Sequence, residues 1–202
     1  MQKVFFLIIA LGTCWLAGCS SDADLPPAER YAKDLAAARE ATATSNDFYL
    51  GLEIGISRKE YYDRCTVLNR EQKITMGAGG NTVNHNFQVG LDRPATMTFA
   101  PEFTEDRKTV TAFTVLLSYV DWSPWNTKSH ADQLLRDVYP FLTKTYGEFY
   151  AVPHERVGRV LVNFSNNRRI SAWLKDERYV QMRFTDLRAL PEEELAYRTN
   201  AY

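Results

Sequence analysis

The stretch that decides the fold is TVTAFTVLLSYV, residues 109–120. Within it, Phe113, Val115, Leu117 and Tyr119 fall on alternate positions. Alternation over so many residues is typical of a β-strand with one buried face, because successive side chains point to opposite sides. The run is also rich in valine, threonine and aromatic residues, which favour strands. It is the strongest strand signal in the chain.

Shorter runs on both sides predict further strands joined by tight turns. Val83, His85, Phe87 and Val89 alternate with polar residues, which is the pattern of a half-buried strand. The other predicted strands are 73–76, one that contains Met97 and Phe99, 157–164, 170–175 and 179–184. Polar and glycine-rich residues between the runs predict turns at 77–81, 104–108, 166–167 and 176–177.

Two amphipathic helices interrupt the strands. Ser57 followed by Glu60 is a capping box, which satisfies free amide groups at the start of a helix, and Ser129 followed by Asp132 indicates a second start. The apolar stripes are Tyr61, Tyr62, Cys65 and Leu68 in one helix and Leu134, Val138, Phe141, Leu142 and Thr145 in the other. The order predicts an α+β fold: a two-layer sandwich with helices packed on one face of an antiparallel meander sheet, in a loose helix-then-strands repeat.

The first nineteen residues have the parts of an export signal. Lys3 supplies a positive charge, residues 4–11 (VFFLIIAL) are apolar, and small residues precede Cys19. A membrane-spanning or buried helix is the alternative. About 20 apolar residues are needed to cross a bilayer, and Thr13 and Gly18 break the run before that length.

The segment Leu16-Ala17-Gly18-Cys19 resembles the bacterial lipoprotein signal, in which a leucine and two small residues precede a cysteine. The resemblance implies that Cys19 receives a diacylglycerol, that the chain is cut before it, and that its new amino group is acylated. It implies a membrane anchor and, with Ser20 next, the outer membrane of a Gram-negative bacterium, on the periplasmic face or the cell surface. Cys14 leaves with the signal, so Cys65 has no cysteine to pair with.

Changes of composition divide the chain. We expect a signal peptide over 1–18, a lipidated tether over 19–27, an Ala-rich spacer helix over 28–47, an α+β domain over 48–186 and a polar tail over 187–202. The helix after the tether has a thin apolar side of Tyr31, Leu35 and alanines. It is therefore either a spacer or weakly docked, and residues 48–186 are expected to fold alone.

Three further segments carry a second resemblance: YLGLEIGISRKEYYDRC, LLRDVYPFLTKTYGEF and ISAWLKDERYVQMRF. Together they resemble a group of small uncharacterised lipoproteins of Bacteroidota. Over residues 48–186 the layout is more distantly similar to the BamE/SmpA and β-lactamase-inhibitor-protein fold group, in which helices cover one face of an antiparallel sheet. The resemblance implies a fold and a place in the cell envelope. BamE-like members act by binding other proteins at the outer membrane.

Nothing in the sequence predicts a catalytic site, a metal site or a cofactor besides the lipid on Cys19. His85, His130 and His154 lack metal-ligand neighbours at the usual spacing, and the Gly-x-Ser-x-Gly signature of serine hydrolases is absent. The glycine-rich run 77–80 leads into a strand and not into a helix, so it is a turn and not a phosphate cradle. The 24 basic and 25 acidic residues nearly cancel, which argues against nucleic acid as a partner.

One loop has the composition of a binding surface. Tyr119, Trp122 and Trp125 lie where the strongest strand leads into the second helix. Exposed aromatic side chains bind sugars or protein partners. The alternative, which we favour, is that both tryptophans fold back and plug the end of the sandwich. If the two tryptophans differ in burial, we expect Trp122 to be the buried one, because it continues from the strand. Trp125 comes after Pro124 and is freer to face solvent.

The sequence leaves three hypotheses of function open. The leading one is a non-enzymatic, lipid-anchored protein with a protein-binding or structural role in an outer-membrane assembly. The second is a glycan- or peptide-binding lipoprotein that uses the loop of Trp122 and Trp125. The third is an enzyme with no recognisable motif.

We predict that Cys19→Ala abolishes lipidation and removes the protein from the membrane fraction, because stable anchoring depends on the acyl chains. Cys14→Ala is the matched control and is expected to leave anchoring intact. Fractionation after a salt wash measures both. A Cys19→Ala protein that still sediments with membranes contradicts the prediction.

Overall fold

The computed structural model describes residues 25–189. Over that range the chain forms three α-helices, a turn of 3-10 helix at Thr127–Ser129, and eight β-strands. The helices are α1 (Pro27–Glu40), α2 (Arg58–Arg70) and α3 (Ala131–Tyr146). The strands are β1 (Thr75–Met76), β2 (Val83–Phe87), β3 (Ala95–Phe103), β4 (Val110–Tyr119), β5 (Tyr150–His154), β6 (Gly158–Ser165), β7 (Arg168–Leu174) and β8 (Val180–Asp186).

All eight strands belong to one antiparallel sheet with the order β1-β2-β3-β4-β8-β7-β6-β5. Each half is a meander of four consecutive strands. The halves meet where β4 pairs with β8, from Ala112↔Thr185 to Leu117↔Val180. The predicted α+β class and antiparallel sheet are confirmed.

The strand predicted at 109–120 is β4, and its alternation sorts the two faces of the sheet. Phe113, Val115 and Leu117 have 0% exposure, whereas Thr114 and Leu116 on the other side are partly exposed. We call the side of the sheet that carries Phe113 the core face and the side that carries Thr114 the outer face.

The segment before α2 fills the middle of the core face. The ring of Phe48 stacks on that of Phe113 with centroids 4.1 Å apart. Leu52 and Ile54 are also buried there. The hydroxyl of Tyr146 donates to the carbonyl oxygen of Phe48 at 2.5 Å, which ties the end of α3 to this segment.

Helix α2 begins as the sequence predicts. The Ser57 hydroxyl accepts a hydrogen bond from the amide of Glu60 at 3.1 Å, which satisfies one of the free amides at the start of the helix. Tyr61 and Leu68 point into the core. The helix thus buries one apolar stripe against the core face.

Helix α3 does not begin at the predicted Ser129 cap. It starts at Ala131, after His130, and the Ser129 hydroxyl bonds the carbonyl of Asn126 instead. The amide of Ala131 donates to the carbonyl of Glu177 at 2.8 Å. The prediction was wrong because this start is satisfied by the backbone of the β7–β8 turn, a contact distant in sequence.

Helix α1 lies on the outer face. Tyr31 is 4% exposed and packs in one cluster with Val160, Val162 and Trp173, and its hydroxyl accepts a hydrogen bond from Arg169 at 2.5 Å. The predicted sandwich of residues 48–186 did not include α1, which lies on the face opposite α2 and α3. The sequence left open whether this helix is a spacer or is docked, and the structure shows that it is docked.

Polar contacts explain why the docking was hard to foresee. The Arg30 guanidinium lies 3.9 Å from the centre of the Tyr150 ring, and the Tyr150 hydroxyl donates to Asp34 at 2.8 Å. Burial, with the nearby Asp34 carboxylate second, raises the pKa of Tyr150. A helix with a thin apolar side is held here by aromatic and charged groups.

Two boundaries differ from the sequence prediction. Strand β5 was not predicted. It contains Pro153 and is at the edge of the sheet, where proline is tolerated. Leu187, the first residue of the predicted tail, is fully buried against Ala38. Cys19, the signal peptide and the rest of that tail from residue 190 lie outside the described residues.

We predict that Tyr31→Ala lowers the free energy of unfolding of the full chain by about 3–5 kcal/mol, as truncation of core aromatic residues does. Tyr31→Phe removes the hydroxyl that accepts from Arg169 and is expected to cost about 1.5–3 kcal/mol, as bonds to charged groups do. Urea denaturation measures both. A loss within about 0.5 kcal/mol for Tyr31→Ala would show that α1 does not contribute to the fold.

Candidate functional site

The loop between β4 and α3 presents one large aromatic side chain to solvent. Trp125 is 86% exposed. Trp122 is partly buried: its indole N–H donates to the carbonyl of Glu177 at 3.3 Å, and the Arg178 guanidinium lies 5.2 Å from its ring. The favoured prediction that both tryptophans plug the sheet end is wrong for Trp125, which follows Pro124 out into solvent.

Hydrogen bonds hold this loop in place along its length. The amide of Asn126 donates to the carbonyl of Ser123 at 3.1 Å, and a ring nitrogen of His130 lies 3.2 Å from the carbonyl of Pro124. The side chain of Arg93 bonds the carbonyl of Lys128. Trp125 therefore projects from an ordered loop, which lowers the entropy lost when a partner binds it.

Tyr119 is a buried structural residue and no part of the exposed surface. It is 2% exposed, its hydroxyl donates to Asp137, and the Arg93 guanidinium lies 4.0 Å from the centre of its ring. Burial and the bond to Asp137 raise its pKa to about 12. The predicted grouping of Tyr119 with the two tryptophans is wrong, because the strand's alternation turns Tyr119 into the core.

A second candidate surface is the part of the outer face that lies beside the α1 contacts. The contacts of α1 described above are with β5, β6 and β7. On β3, β4 and β8, several side chains of this face are partly exposed, whereas Ala112, Ser118 and Thr185 on the same face are buried. We call six of the partly exposed side chains the open face: Thr96, Thr98, Thr114, Leu116, Gln181 and Arg183.

A polar network orders the open face. Arg183 contacts Glu102 through two nitrogens, at 3.1 and 2.5 Å, and the Thr114 hydroxyl donates to the same carboxylate at 2.7 Å. Thr98 donates to Asn84 at 2.8 Å. These bonds cross four neighbouring strands, so the surface presents fixed polar groups on a stiff backbone.

The sequence contains a pattern for the open face, but its meaning became clear only when the strands were placed in the sheet. Thr96 and Thr98 alternate with the buried Met97 and Phe99, which marks a strand with one polar side. That pattern cannot say whether the polar side is covered. The position of α1 over β5, β6 and β7 shows which part of the outer face is covered.

The three histidines are engaged in hydrogen bonds with the backbone. The partners are the carbonyl of Lys73 for His85, the carbonyl of Pro124 for His130 and the amide of Arg156 for His154. Between residues 25 and 189 no group of three or more His, Cys, Asp or Glu side chains is placed to hold a metal ion.

No model of a protein family matches this chain, and no curated protein or solved structure matches it either. None of the helices within the described range is long and apolar enough to cross a membrane. The features that bear on function are therefore the two surfaces and the signal-like N-terminus.

We predict that truncation of the two tryptophans lowers the free energy of unfolding by different amounts. Trp122→Ala is expected to destabilise by more than about 1 kcal/mol, but by less than the about 3–5 kcal/mol of a fully buried tryptophan, because its ring is partly buried. Trp125→Ala is expected to stay within about 0.5 kcal/mol, as surface changes do. Urea denaturation of both variants is the test. Severe destabilisation by Trp125→Ala would place that ring in the core.

Proposed function

We propose that this chain is a lipid-anchored protein of the Gram-negative outer membrane, held by Cys19, that binds a protein partner through its open face. The observation that carries the proposal is the ordered, partly exposed polar surface on β3, β4 and β8. The role is non-catalytic, either as a binding component or as a structural component of an envelope assembly.

The chemistry of the open face suits a protein partner. Non-obligate protein interfaces are about as polar as the rest of the surface, and the open face combines threonines with Leu116 and the paired Arg183. The side chains project from the middle strands of the sheet, so a partner that binds here meets a preorganised surface and loses little free energy to ordering it. Small-molecule sites are instead concave and mostly apolar.

The finer architecture is also part of the proposal. Helix α2 precedes β1 to β4, and α3 precedes β5 to β8, with β4 and β8 paired at the centre. This order supports two tandem helix-plus-four-strand units with α2 and α3 layered on the core face, a layout similar to the β-lactamase-inhibitor-protein group. Helix α1 adds a partial layer on the other side.

Site-specific photo-crosslinking of the full chain in its own membrane tests the proposal. A photoreactive amino acid at Thr98 or at Gln181 is expected to give one discrete protein adduct. The matched control is the same amino acid at Val67, which is 51% exposed on α2 and is expected to give no such adduct. The absence of an adduct from both open-face positions, or an identical adduct from Val67, contradicts the proposal.

A second candidate function is binding of a glycan or peptide by Trp125. The specific observation is a tryptophan that is 86% exposed on a loop held by hydrogen bonds. Retention of the full chain on cell-wall glycan, compared between the unmodified protein and Trp125→Ala, tests it. Equal retention excludes glycan binding by Trp125.

A further inference from the structure

A cavity of about 300 Å³ lies between α2 and the β1–β2 hairpin, at the opposite edge of the sheet from β5. Helix α2 contributes Tyr61 and Cys65 to its wall, and the hairpin contributes Ile74, Met76 and Val83. The volume is at the lower end of the range of about 300–1,000 Å³ that is usual for small-molecule sites.

Hydrogen bonds hold the wall of this cavity together. The Asn69 amide group donates to the carbonyl of Ile74 at 3.0 Å, which fastens β1 to the end of α2. The amide of Gly77 donates to the carbonyl of Thr82 at 2.8 Å and closes the hairpin. A Cβ on Gly77 would lie 2.2 Å from the Thr82 hydroxyl oxygen, so this close approach requires glycine. These contacts fix the position of the β1–β2 hairpin relative to the end of α2, and so the two walls of the cavity.

The lining carries no charge at neutral pH. None of its twelve residues is Asp, Glu, Lys, Arg or His. Burial raises the pKa of Tyr61 and of Cys65, so both stay protonated. The cavity is open on one side, where Met76 is 77% exposed, so a charged ligand would lose part of its hydration here without meeting an opposite charge, which is unfavourable. An uncharged ligand avoids that cost and gains from burial of its apolar surface.

We propose that this cavity binds a neutral, largely apolar small molecule. The Tyr61 ring and the side chains of Ile74 and Val83 supply the apolar contacts, and the Cys65 thiol lies within the site. This site is separate from the open face and from Trp125, so it stands independently of the protein-binding role.

Protection of Cys65 from alkylation tests the proposal on the purified full chain. The reagent is iodoacetamide, and the probes are 2-naphthol, which is neutral, and naphthalene-2-sulfonate, which has the same rings and a negative charge. Peptide mass spectrometry measures the rate of alkylation of Cys65 and of a reference thiol introduced by Val120→Cys. Val120 is chosen because it is 63% exposed. At a concentration of ten times its dissociation constant, 2-naphthol is expected to slow the alkylation of Cys65 about elevenfold. The reason is that the free fraction of the site falls as 1/(1 + [L]/Kd).

The reference thiol should be unaffected by either probe, and the sulfonate should leave Cys65 unprotected. Protection of Cys65 by neither probe, or equally by both, overturns the proposal. Val83→Phe narrows the cavity and is expected to abolish protection by 2-naphthol, whereas Val67→Phe, at an exposed position of α2, should retain it. Full protection in folded Val83→Phe would place the ligand elsewhere. If Val83→Phe does not fold, the comparison of the two probes on the protein that retains Val83 still tests the proposal.

Discussion

The pairing of β4 with β8 is the interaction on which the rest of the structure depends. Six registered pairs, from Ala112↔Thr185 to Leu117↔Val180, join two four-stranded meanders into one sheet. Because both strands lie in the middle, their core-face side chains, among them Phe113 and Phe184, are covered from both halves. Phe48 packs against both rings, so the segment before α2 closes the same junction. Without this pairing, each half would expose an unpaired edge and half of a core.

The outer face of the sheet is covered unevenly. Helix α1 covers it over β5, β6 and β7 through Tyr31 and the contacts of Arg30 with Tyr150. Over β3, β4 and β8 the same face carries the Thr, Gln and Arg side chains of the open face. The outer face is therefore covered over β5, β6 and β7 and partly exposed over β3, β4 and β8. If α1 is joined through the tether to a lipid on Cys19, the anchor connects to the part of the outer face formed by β5, β6 and β7.

Sequence reasoning predicted the elements whose signals are local. The alternation in residues 109–120 predicted β4, and the Ser57 capping box predicted the start of α2. It failed where contacts between residues that are distant in sequence determine the structure. Ala131 opens α3 because the carbonyl of Glu177 receives its amide, and Tyr31 is buried because Arg169 and Trp173 lie opposite it. The candidate site follows the same rule: the pattern around Trp122 and Trp125 marked the loop, but only the fold shows that Trp125 is exposed and that Tyr119 is not.

The central claim is that β4 and β8 make the two halves one cooperative unit. Native-state hydrogen exchange of the full chain, followed across denaturant concentrations, tests it most directly. The slowest amides in residues 112–117 and 180–185 should exchange only by global unfolding, with the same free energy and the same denaturant dependence in both strands. If the slowest amides of β5 to β8 instead open at a clearly lower free energy than those of β1 to β4, the halves unfold separately and the claim is wrong.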